Sequence, residues 1–165
     1  GRRGDTMSVH KALRKQTKLD VHVKANALVK HTVHICSNGR VFDPKYAAFT
    51  ARIVDTTVQA GQHLWAANNV LVGERPDRWH RRRDLQEGAC EELDSLLYLI
   101  EVAHTLYDLR SGKYFHWARM ATEVRDLARA WRDSDARRYG HLDSGTQADV
   151  GPQLVDAFGQ SQQRQ

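Results

Sequence analysis

Five arginines fall within nine positions, at Arg75, Arg78, Arg81, Arg82 and Arg83, with Trp79 set among them. A guanidinium is permanently charged and planar, and its fork can hold two oxygens of one phosphate. An aromatic ring between such groups can stack on an unpaired base. The cluster points to recognition of a polyanion, with Trp79 either a stacking platform or a core-edge aromatic covering the end of a helical body. Pro76 suits the first turn of a helix, where its missing N–H would have no partner anyway. The arginines then gather at a helix N-terminus, the positive end of the macrodipole, where each exposed charge costs about 0.3–1 kcal/mol. A bound polyanion would relieve both the repulsion and the dipole penalty. The alternative is a solvated, mildly strained helix start.

Other cations surround this stretch. Lys11, Arg14, Lys15 and Lys18 precede the first expected helix, and Lys24 and Lys30 lie on it. Arg125, Arg129 and Arg132 recur at spacings of four and three along one side of the last. The 165 residues carry a net charge of +5, with a pI near 9.4. Residues 141–165 hold Asp143, Asp149 and Asp156 against Arg164, a balance of −2, so residues 1–140 carry +7. Such a surface suits nucleic acid, an acidic protein or an anionic membrane. No zinc-finger spacing, aromatic RNA-binding strand or helix-turn-helix pattern is present, so only shape and charge are available for recognition.

Other chemistries are incomplete. His31 and His34, with Cys36 nearby and His22 upstream, offer part of a zinc set, but no matching ligand pair exists elsewhere. Glu101 and His104 make one Glu-x-x-His, where a di-iron bundle needs two. Glu91 and Glu92, with Glu123 and Asp126, partly resemble the carboxylates of all-α nucleotide pyrophosphohydrolases, but Ser95 replaces the expected third glutamate. Arg75 and His80 have the Arg-x4-His spacing of the helical ribonucleases called HEPN, in which arginine stabilises phosphate and histidine does acid–base work. No Gly-rich phosphate loop or nucleophile elbow appears. The expectation is no catalytic residue, metal or cofactor.

Four amphipathic stretches must position these groups. Asp20 is expected to cap a helix over 21–37, with Val21, Ala25, Leu28, Val29, Thr32 and Ile35 or Cys36 inward and Asn38-Gly39 as its left-handed stop. Asp43-Pro44 opens a second over 44–71, striped by Tyr46, Phe49, Ile53, Thr57, Ala60, Leu64, Ala67 and Leu71. Its interior Gly61 suits a close helix approach. A third, from Pro76 to near 109, buries Leu85, Ala89, Leu93, Leu96, Ile100, Ala103 and Tyr107. Ser111 caps a fourth, running to about 138, with Tyr114, Trp117, Ala118, Ala121, Val124, Ala128 and Trp131 inward. Short links between such helices predict an all-α, antiparallel up-down-up-down four-helix bundle at 19–140. Residues 1–18 read as a flexible basic arm, the six before Met7 lying outside the fold. Residues 141–165 read as a disordered Gln/Gly-rich tail, with a weak docking segment from Leu154 to Phe158. Leu97, Leu99 and Val102 widen the third apolar face, and Trp65, Phe115 and Trp131 exceed what one small bundle needs, so self-association is expected. Cys36 and Cys90 read as reduced core thiols, which suits a cytoplasmic protein, and no stretch has the length of a membrane span or the pattern of a signal peptide.

Three sets of segments, in this order, resemble a known family. They are Leu19-Asp-Val-His22 into His31-Thr-Val-His-Ile-Cys-Ser-Asn38 and then Phe42 to Phe49, Arg83-Asp-Leu-Gln-Glu-Gly-Ala-Cys90 into Leu97-Tyr-Leu-Ile-Glu-Val-Ala103, and Lys113-Tyr-Phe-His-Trp117 into Ala130-Trp-Arg-Asp-Ser-Asp135. The family is the accessory variability determinant (Avd) proteins of diversity-generating retroelements, similar in fold to small proteins encoded in intervening sequences of ribosomal RNA genes. The resemblance covers residues 19–138, and the basic linker 72–82 departs from it in length. It implies a non-enzymatic accessory factor, a positively charged homopentameric barrel that binds a reverse transcriptase and its template RNA or cDNA during mutagenic copying. It implies no catalytic residue, and the arginines around the third helix are the expected contact with nucleic acid or polymerase. The alternatives are a HEPN-like RNA-cleaving bundle and a helical protein-interaction module without nucleic acid.

Overall fold

In the computed structural model, residues 4–143 are described, with side chains from residue 11 except at 14, 17 and 19. Arg14, the tail beyond 143 and the segment from Leu154 to Phe158 lie outside those bounds. Among the described residues the elements are helical. They are α1 (Gly4–Cys36), a 3-10 turn (Pro44–Tyr46), α2 (Ala47–Asn69), α3 (Pro76–Leu106) and α4 (Ser111–Tyr139). α1 and α3 each pack against both α2 and α4, which gives a bundle-like body. No helix among the described residues is long and apolar enough to cross a membrane.

The inward stripes make the core. Val21, Leu28, Ile53, Leu64, Leu93, Leu96, Ile100, Trp117 and Val124 are buried in one cluster. The core is close-packed, so its polar groups must be paired. The Trp117 indole accordingly donates to the Thr32 hydroxyl at 3.0 Å, and the Thr57 hydroxyl donates to the Ile53 carbonyl at 2.8 Å. A methyl group at Gly61 would come 3.2 Å from Val29 Cγ2, so the missing side chain lets α2 approach α1. Both cysteines are buried and reduced. Burial pushes the Cys36 thiol up to about 12 and raises that of Cys90.

Several boundaries differ from the expected ones. Residues 4–18, expected as a loose arm, continue α1, because no proline or glycine interrupts residues 5–36. Asp20 is therefore no cap; it lies inside the helix and accepts from the Gln16 amide at 3.3 Å. Asn38 and Gly39 end α1 without a left-handed residue; the Phe42 amide instead bonds the Asn38 carbonyl at 2.8 Å. The Asp43 carboxylate does cap the Pro44 turn, accepting from the Lys45 amide at 3.0 Å. α2 stops at Asn69, so Leu71 leaves the inward stripe and is 78% exposed while Val72 turns in. Gly73 takes up the link with φ +56°.

α3 stops at Leu106, and Asp108 adopts φ 50° in the left-handed region. The Leu109 amide reaches back to the His104 carbonyl at 3.0 Å, the bond of a Schellman end built on aspartate instead of glycine. Ser111 is the first helical residue of α4, and Arg110 holds the cap position with no side-chain bond. Residues 141–143, expected in the tail, form a further helical turn whose Leu142 is buried against Val72 and Trp79.

Candidate nucleic-acid interface

The arginine cluster opens α3 as expected, with Pro76 in the first turn, but it does not form one exposed row. Consecutive helical residues step by about 100° around the axis, so Arg81, Arg82 and Arg83 cannot share a face. Arg82 points inward and is 6% exposed. Its Nε donates to Asp135 at 2.8 Å and its NH1 to the Val70 carbonyl at 3.2 Å. Its guanidinium lies 5.1 Å from the Trp131 ring centroid. Gln86, fully buried, donates to the same Asp135 oxygen at 2.7 Å, and its own carbonyl oxygen has no partner among the described residues. This is a buried ionic network that ties α3 to α4, and it corrects the expectation of Arg82 as a phosphate ligand.

Of the two readings of Trp79, the structure shows the core-edge aromatic and corrects its place among the binding residues. It is 0% exposed, and its indole donates to Asp143 at 3.2 Å. It therefore covers the end of the core and offers no face to a base. Asp143 also takes His80 at 3.1 Å and Arg83 at 3.1 Å. Arg75 grips Asp77 through two bonds of 3.1 and 3.2 Å, holding that exposed carboxyl below its usual range. Arg78 donates to the Leu71 carbonyl at 3.3 Å. Arg81 is exposed, with no hydrogen bond or ion pair among the described residues.

The helix-borne cations are also engaged. Lys24 pairs with Glu123. Arg129 donates to both Asp94 oxygens at 3.0 Å, and Arg125 approaches the same carboxylate at 3.5 Å. Arg132 pairs with Asp133 at 3.1 Å. Lys30 is exposed and unbonded among the described residues.

What the fold brings together instead is a cavity of about 1170 Å³ at the same end of the body, where the first half of α1, the α2–α3 link and the end of α4 meet. Among the described residues Lys11, Lys15, Lys18, Arg82, Arg137 and Arg138 line it against one carboxylate, Asp135, which is already held by Arg82 and Gln86. Leu13, Leu71, Trp131 and Tyr139 supply apolar wall. Lys18 is half-buried, and its pKa falls below the usual lysine value, first through burial and then through the charges of Arg82 and Arg138. Burial and then Lys18 likewise lower His22, which stands edge-on between Trp65 at 6.3 Å and Trp131 at 5.8 Å. A site in which cations suppress one another's charge is one an incoming anion would relax.

This site was missed because the arm was expected to be loose. Lys11, Lys15 and Lys18 stand at spacings of four and three, one face of any helix that continues upstream of Asp20. Two more signals were present. Trp79, Arg82, Gln86 and Ala89 extend the inward stripe of α3 at spacings of three, four and three. Asp135 extends that of α4 four residues beyond Trp131.

The other constellations come apart. Glu91, Glu92 and Ser95 line a cleft between α2 and α3, where Glu92 meets His63 at 2.8 Å, while Glu123 and Asp126 are bound by Lys24 and Arg125. His104 stacks on Tyr114 at 4.0 Å. Among the described residues no group of three or more His, Cys, Asp and Glu side chains could hold a metal ion. No family model, no curated protein and no solved structure matches the chain.

Proposed function

We propose that the protein is a non-enzymatic accessory factor of a diversity-generating retroelement. In this reading it is a four-helix, up-down-up-down bundle that assembles as a homo-oligomer, a pentamer by the family resemblance. It binds reverse transcriptase and template RNA or cDNA through its basic end and supports mutagenic copying. The cationic cavity carries the polyanion part. Its side chains include Lys11, Lys15, Arg137 and Arg138, all exposed, and the single carboxylate in its wall is neutralised internally. A phosphate backbone would release counterions on entering it and would meet no free acid. The ordered segment resemblance carries the retroelement part. Trp65 and Phe115, each 61% exposed, support self-association. Several such cavities on one assembly would hold RNA by avidity.

The test is co-elution of the purified chain with a retroelement reverse transcriptase and its template RNA. A complex containing all three supports the reading, and binding to neither partner sinks it. The ribonuclease alternative predicts RNA cleavage that disappears in His80→Ala. The geometry favours it less, because Arg75 faces Asp77 while His80 faces Asp143.

A further inference from the structure

At the opposite end of the body lies a second, smaller cleft of about 200 Å³, between the end of α1, the loop that follows it and the start of α4. His31 and His34 reach it from α1, and Lys113 and His116 from α4. The remaining polar lining is Asn38, whose side-chain oxygen already accepts from the Arg40 amide at 3.2 Å. Among the described residues no carboxylate lines the cleft, and neither the loop nor the α3–α4 link adds a charged group to it. His31 and His116 meet edge to face at 5.2 Å. None of the four basic side chains makes a hydrogen bond or ion pair among the described residues. The floor is apolar, with Phe42 and Trp117 at its centre.

Three imidazoles and an ammonium line this open cleft, His31 half-buried and the other three exposed, with no acid among its described lining. Each imidazole that takes up a proton repels the others, and burial adds to the penalty. His31 is accordingly held below the usual histidine pKa, first by burial, then by His116 and His34. The three imidazoles do not form a metal site among the described residues. A compact dianion seated between His31 and His116, whose rings are 5.2 Å apart, would take charge-assisted hydrogen bonds from them, with His34 and Lys113 adding positive charge at the rim. The apolar floor would cover a short hydrocarbon or aromatic body attached to it, and the volume is below that of a typical drug-sized pocket, so the ligand is small.

We propose that the cleft formed by His31, His34, Lys113 and His116 over Phe42 and Trp117 is a binding site for a small organic phosphate monoester. Binding takes up protons, because the dianion favours the charged imidazoles, and so tightens as pH falls toward the monoester's own second pKa, about 6, below which the ligand itself becomes a monoanion and the gain levels off. The site lies at the other end of the molecule from the basic cavity and stands independently of the polyanion reading.

Phenyl phosphate is the probe, titrated into the full chain by calorimetry while the imidazole resonances are followed by NMR. One saturable site should appear, with ring shifts at His31, His34 and His116 and affinity about threefold higher at pH 6.5 than at pH 7.5. Phenyl phosphate should bind more tightly than inorganic phosphate; equal affinity would remove the organic body from the proposal. Lys113→Met/His116→Gln should weaken binding at least tenfold, whereas Lys15→Gln/Arg138→Gln in the basic cavity should leave these shifts intact. If the first variant does not fold, His34→Gln, at an exposed position, should still weaken binding and flatten its pH dependence. Absence of saturable ring shifts, or shifts abolished by the basic-cavity variant, overturns the site.

Discussion

Both ends of the helical body gather positive charge, and they do so with different chemistry. The end built by Lys11, Lys15, Lys18, Arg137 and Arg138 uses lysines and arginines, and its cavity is about 1170 Å³. The end built by His31, His34 and His116 is about 200 Å³ and uses imidazoles, the side chain whose charge can change with physiological pH. The first is anchored by a buried ion pair whose charges are spent on holding helices together. The second has no acid and no internal hydrogen-bond or ion-pair partner among the described residues. An open end of lysines and arginines suits a long polyanion of any sequence, whereas a small end of imidazoles suits a compact ligand and responds to pH. The difference shows how to read a basic protein: the number of arginines matters less than which of them lack an acid.

The largest effect separating the ends should come from the Arg82–Asp135 pair, whose side chains are each 7% exposed. Removing one partner leaves a buried charge unpaired, so Arg82→Ala or Asp135→Ala should cost about 3–5 kcal/mol by urea unfolding. Replacing both by apolar residues, as in Arg82→Met/Asp135→Leu, should recover most of that loss. An effect below about 1 kcal/mol for the single variants would mean that the network is solvated.

Acid should weaken the molecule by a smaller amount. His22 and His31 both have native pKa values below 6.5. The folded state therefore binds fewer protons than the unfolded chain, so stability rises with pH up to the ordinary histidine pKa and is lost as pH falls below it. Melting at pH 5.5 should come a few degrees, about 2–5 °C, below that at pH 7.5. His22→Phe should remove one part of that loss and saturating phenyl phosphate the other. A pH-independent melting temperature would contradict both placements.

The smallest effect lies at the histidine end, at the turn after α3 beside the cleft-lining Leu109. Asp108 holds φ 50°, which glycine adopts without a side-chain clash. Asp108→Gly should raise stability by about 0.5–1 kcal/mol in denaturant titration. A loss would mean that the carboxylate stabilises the turn.

Much of the all-helical body was legible because threes and fours of apolar residues persist through each helix. From Leu93 to Ala103 the stripe of α3 is buried position for position. The ends were less legible. Nothing in composition marks a basic stretch such as 11–18 as helix or arm; only the lack of a breaker does, and Asp20 offered a plausible but unused cap. Arg82 was placed on the surface by residue type, and Trp79 was left between a stacking platform and a core-edge aromatic, although the spacing of both continues the buried stripe. Type outweighed register there, because a buried arginine becomes sensible only once Asp135 is known to face it across two helices. The histidine cleft joins residues about eighty positions apart in the chain, so no local pattern could reveal it.

The most direct measurement is structured-RNA binding by fluorescence anisotropy across a salt series, with two charge-removal variants beside the native chain. Lys11→Gln/Lys15→Gln/Arg137→Gln/Arg138→Gln clears the cavity, and Arg75→Gln/Arg81→Gln clears the exposed start of α3. The account predicts a steep salt slope for the native chain. It predicts a slope shallower by about one unit for each phosphate that the cavity variant no longer engages, and little change in the other. An unchanged slope in the cavity variant, or a larger loss in the α3 variant, would contradict it.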